Sequence, residues 1–84
     1  MDLLQQWCAK EGVTEPVNGS WLFALCDKFQ VSTQNNALFN LAIYYEVKKI
    51  DILDGKPILQ AIAEKLGATQ PSNGSWLQAI VDKL

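Results

Sequence analysis

The stretch PVNGSWLFALCDKF at residues 16–29 returns as PSNGSWLQAIVDKL at residues 71–84, which marks an internal duplication. Aligning residues 2–29 with 57–84 makes fourteen of twenty-eight positions identical, among them Lys10/Lys65, Gly12/Gly67, Thr14/Thr69, Pro16/Pro71 and Asp27/Asp82. A shorter shift matches LQAIAEKL (59–66) to LQAIVDKL (77–84) at six of eight positions and sets Asp54-Gly55 near Asn73-Gly74. Leu4, Leu22, Leu41, Leu59 and Leu77 then fall at steps of 18, 19, 18 and 18 residues. Such a period marks stacked copies of one supersecondary unit, and it predicts five helix-loop copies of about eighteen residues, the third of them badly worn.

Each copy carries the stripe of an amphipathic helix. Trp21, Leu22, Leu25, Cys26 and Phe29 in one copy match Trp76, Leu77, Ile80, Val81 and Leu84 in another. Steps of one, four, five and eight residues hold one face of a helix. The stripe recurs as Leu3, Leu4, Trp7 and Cys8 and as Ile58, Leu59, Ile62, Ala63 and Leu66. The run NALFNLAIYYEVKK is apolar on more than one side, which predicts a central place in the packing.

The punctuation is equally regular. Gly12 and Gly67 suit the left-handed position after a helix, with Val13 or Ala68 as the small apolar residue that follows. Pro16 and Pro71 keep the helix from resuming early. Asn-Gly supplies a tight turn, and Ser20 or Ser75 is placed to cap the next helix, Ser75 with Gln78 at capping-box spacing. Trp21 and Trp76 are thereby fixed in a first turn and are expected to be mostly buried. These signals predict an all-α compact bundle of five short helices near 2–11, 20–29, 34–49, 57–66 and 75–84, with no strand, in a single domain covering 1–84.

Composition narrows function. Hydrophobic residues make up 49% and charged residues 19%, with nine acids against seven lysines and neither arginine nor histidine. A nucleic-acid reader shows a basic stripe and arginine forks, so nucleic acid is not expected as a partner. The start MDLLQQW carries an acid where a signal peptide has positive charge, and no apolar run approaches the roughly 20 residues of a membrane span. A soluble protein made in a reducing cytoplasm is expected, without membrane contact.

In that setting Asn18-Gly19-Ser20 and Asn73-Gly74-Ser75 read as turns and not as glycosylation sites. Cys8 and Cys26 align with Ala63 and Val81, so those positions call for something small and apolar, and free buried thiols are expected. Two cysteines without histidine make no zinc site. Asp27-Lys28 and Asp82-Lys83 are adjacent residues on a helix and read as a solvated face. No catalytic residue, cofactor site or metal site is predicted, and an enzyme is not expected.

Differences between the copies point to function more than the identities do. Val17 and Phe23 stand where the last copy has Ser72 and Gln78. Apolar side chains at positions that another copy leaves polar suggest a partner surface, and Phe39 or Tyr44 of the third helix can join it. The alternative is that Phe23 packs on Phe39 or Tyr44.

The unit G-[VA]-T-x-P-x-N-G-S-W-L-x-A, at residues 12–24 and 67–79, resembles helical repeats in small virion-associated proteins of tailed bacteriophages. That resemblance implies a non-enzymatic, multi-copy structural protein of the virion, made in the host cytoplasm and fitted as a joint, ring or decoration protein against larger subunits. It brings no catalytic residues. A homo-oligomer is compatible with it, and so is a different role: a small phage or bacterial regulator that binds and blocks a host protein.

Overall fold

The computed structural model describes residues 1–49, 52, 55–70 and 73–84. Among them five helices follow one another: α1 (Leu3–Lys10), α2 (Trp21–Phe29), α3 (Ala37–Tyr44), α4 (Ile58–Lys65) and α5 (Trp76–Lys83). The described residues form no strand, only one isolated bridge between Val17 and Ser20. Asp54 of the expected Asp54-Gly55 turn, Pro71 and Ser72 lie outside the described residues.

Four of the five helices start at a capping side chain. Asp2, Ser20, Asn36 and Ser75 each accept a hydrogen bond from the backbone N–H three residues on, at Gln5, Phe23, Phe39 and Gln78, over 2.8 to 3.2 Å. Pro57 precedes α4 without a side-chain bond, and its fixed φ suits entry into a helix. Before α2, Asn18 and Gly19 have φ of 51° and 77°. Val17 and Ser20 exchange both backbone bonds across them, at 3.0 and 2.8 Å, which is the tight hairpin turn that Asn-Gly favours.

The ends are as uniform as the starts. The N–H groups of Val13, Val31, Val47 and Ala68 donate back to the carbonyls of Cys8, Cys26, Ala42 and Ala63, at 2.8 to 3.1 Å. The residue before each donor is left-handed: Gly12 at φ 80°, Gln30 at 60°, Glu46 at 66° and Gly67 at 84°. This is the Schellman arrangement, with an apolar residue after the left-handed one. Two copies place glycine there; the two around α3 do so with a side chain that pays a steric penalty.

These marks correct two expectations. The third helix does not run over 34–49: left-handed Asn35 and Asn36 delay its start, and left-handed Glu46 ends it. Nor is Leu41 the counterpart of Leu22. The caps at 2, 20, 36, 57 and 75 are spaced 18, 16, 21 and 18 residues apart, so the leucine that matches Leu4, Leu22, Leu59 and Leu77 is Leu38. Leu41 instead matches Trp7, Leu25, Ile62 and Ile80.

Those five side chains, the fifth residue of each helix, have no solvent exposure. The next residues, Cys8, Cys26, Ala42, Ala63 and Val81, are buried beside them. Each helix packs on the next in the chain, and α5 packs back on α1. The ring is flat, with extents of 30 × 28 × 16 Å. Trp7 is the bulkiest inner residue, and its indole N–H donates to the Tyr45 hydroxyl at 3.2 Å, which donates to Glu11 at 3.1 Å. Trp21 and Trp76 are mostly but not fully buried, as expected, and pack on the core from its edge.

Both cysteines are free and buried. Cys8 Sγ donates to the carbonyl of Trp21 at 3.3 Å, and Cys26 Sγ to that of Ala37 at 3.6 Å. Each thiol thus reaches the first residue of the following helix.

Candidate partner-binding face

Seen from the caps, the third residue of each helix points away from the fully buried fifth, because two residues turn the helix through about 200°. That outward position holds Gln5, Phe23, Phe39, Gln60 and Gln78. Four residues further, on the same stripe, stand Ala9, Asp27, Ile43, Glu64 and Asp82. On α4 the pair is closed by a hydrogen bond from Gln60 to Glu64 at 2.9 Å, and on α5 by one from Gln78 to Asp82 at 2.8 Å. Lys56 adds an ion pair to Glu64 at 2.7 Å; its hydrogen bond, with that of Gln60, holds the Glu64 carboxyl below its ordinary range.

On α3 the same two positions are Phe39 and Ile43. The position after them is Tyr44, where the other four helices carry Lys10, Lys28, Lys65 and Lys83. Ile43 is 38% exposed and Tyr44 45%. Tyr44 stacks on Phe29 with ring centroids 4.0 Å apart and planes 7° from parallel, while Tyr45 meets both rings edge-on. Phe29 itself packs on the core, so Tyr44 has one face supported and its remainder presented outward.

The four residues expected to form a partner surface fare differently. Phe39 and Tyr44 both lie on α3. Phe23 occupies the matching outward position of α2, which packs directly on α3. Phe23 and Phe39 are half-buried yet are not among the side chains packed on the core. Neither makes a ring-ring contact among the described residues; the ring under Tyr44 is Phe29. Val17 is half-buried in the turn that leads into α2, its backbone tied to Ser20. Its polar counterpart Ser72 lies outside the described residues.

Ile43 is the member that the sequence reading missed. With Leu41 set against Leu22, Ile43 falls opposite Ala24 and Tyr44 opposite Leu25, both buried residues. The signal that finds it is the run of Asn caps before Ala37, which fixes the register of α3 independently of leucine spacing.

Elsewhere the surface is shallow. An open depression of about 280 Å³ between the end of α3 and α4 is lined by Glu46, Val47, Lys48, Lys56, Ala61, Glu64 and Lys65. Among the described residues no three His, Cys, Asp or Glu side chains gather as metal ligands, and no helix is long and apolar enough to cross a membrane. Burial pushes both thiols up, Cys8 to about 11 with a smaller contribution from Asp2, and Cys26 in the same direction with Asp27. A thiol so held is a poor nucleophile.

No family model, no curated protein and no solved structure matches this chain.

Proposed function

We propose that this chain is a non-enzymatic interaction protein that works in multiple copies as a structural component of a tailed-phage virion. Its contact surface is the outer face of α3, flanked by Phe23 of α2. One observation carries the reading of that face: Phe39, Ile43 and Tyr44 stand where α4 and α5 hold a hydrogen-bonded glutamine and acid followed by lysine. A helix that needs only to be soluble gains nothing from that exchange, whereas exposed apolar and aromatic residues are the usual anchors of protein contacts. The virion setting rests on the resemblance of residues 12–24 and 67–79 to phage helical repeats.

Quantitative mass spectrometry of purified particles tests this directly. The chain should be present at a fixed, symmetry-related copy number, and particles assembled with Phe39→Gln/Ile43→Glu in place of the native chain should carry fewer copies. Absence of the native chain from particles overturns the structural role and favours the blocking of a host protein.

A further inference from the structure

We propose that the outer face of α3 docks on the same face of a second copy, so that the unit of assembly is a two-fold dimer. This names the partner of the contact face described above and rests on that reading of it. A two-fold contact sets a patch against itself, so any net charge in the patch meets its own like. From Phe29 to Tyr45 the chain carries no charged side chain at all. Each of the other helices has a lysine at the position of Tyr44, and three of them have an acid one residue earlier.

The polar atoms along the stripe also make no demand on a foreign partner. The Asn40 amide already donates to the carbonyls of Ser32 and Gln34, both at 2.7 Å. The Tyr44 hydroxyl is donor and acceptor at once, and can therefore pair with its own copy. Its ring is set in place by Phe29, which lowers the ordering cost of using it as an anchor. With a net charge of only −2 on each chain, long-range repulsion between copies is weak. An eight-residue helix is about 12 Å long, so the dimer belongs to the small, concentration-dependent class of contacts.

Sedimentation equilibrium of the full chain over a range of concentrations, at low and high salt, is the test. The mass should rise from 9.4 kDa towards twice that value, with association unchanged or tightened by salt. Ile43→Asp/Tyr44→Lys, which copies α5, should keep its helical far-UV spectrum and associate about 30-fold more weakly or worse. A wild-type chain that stays monomeric to about 1 mM overturns the proposal, as does a folded variant that associates as tightly as wild type. Should the variant fail to fold, the salt response decides, because association that salt dissolves is a charged contact elsewhere. A monomeric wild type whose outer-face variants are still lost from particles removes the dimer and leaves the contact face standing.

Discussion

α3 and α5 are built alike on the inside and oppositely on the outside. Both begin at a side-chain cap that accepts from the third residue of the helix. Both bury their fifth residue completely, Leu41 in one and Ile80 in the other. Outward, α5 carries Gln78 bonded to Asp82 and then Lys83, while α3 carries Phe39, Ile43 and Tyr44. The backbone and the ring packing tolerate either surface. Apart from the stack of Tyr44 on Phe29, what differs lies outside the packed core, and the apolar version on α3 is where an external contact has room to act.

The largest effects should fall on the shared interior and be equal on the two helices. Leu41→Ala and Ile80→Ala should each lower unfolding free energy by about 2–5 kcal/mol, as loss of a fully buried side chain does. A neutral Leu41→Ala would return Leu41 to the rim position of Leu22 and leave α3 and α5 unalike inside. Trp7→Ala should reach about 3–5 kcal/mol, and Trp76→Ala, at the core's edge, should cost visibly less under the same urea titration.

Alkaline pH probes the interior that both helices face. Cys8, Cys26 and Tyr45 all ionise at higher pH in the folded chain than when exposed, chiefly because burial disfavours the charged form. The folded state then holds protons that the unfolded state has released, so stability is full below pH 9 and falls as pH rises. For Cys8 the window runs from 9.0 to about 11. Cys8→Ala, copying Ala63, should flatten part of that fall in unfolding curves between those values.

A gain is expected at the end of α3. Glu46 holds a left-handed conformation at φ 66° where α1 and α4 are followed by glycine. Glu46→Gly should raise stability by about 1 kcal/mol, and Gly67→Ala should lower it by a similar amount. Equal losses from both substitutions would mean that the four helix ends are not equivalent.

The sequence made the helices legible where capping chemistry and apolar stripe coincide, as around Ser20-Trp21 and Ser75-Trp76. It misled at α3 because Asn35, Asn36, Gln30 and Glu46 occupy left-handed positions for which glycine is the usual sign. Without those marks, leucine spacing set the register, and a shift of three residues moved Leu41 from the core to the rim. Phe23, Phe39 and Tyr44 were visible as departures from a polar copy. Ile43 was hidden, since only the corrected register sets it beside Glu64 and Asp82. The stack of Tyr44 on Phe29 joins two helices and has no trace in local periodicity.

The smallest stability effect is also the most telling. If the outer stripe of α3 serves contact and not folding, Phe39→Gln/Ile43→Glu, which installs the stripe of α4, should leave the fold intact. Urea unfolding should be followed at a protein concentration low enough to keep both chains monomeric. The variant should stay within about 1 kcal/mol of wild type, because Ile43 is exposed and the half-buried Phe39 is not packed on the core. A loss of about 3 kcal/mol or more, the scale of a core truncation, would contradict that expectation and return Phe39 and Ile43 to the fold.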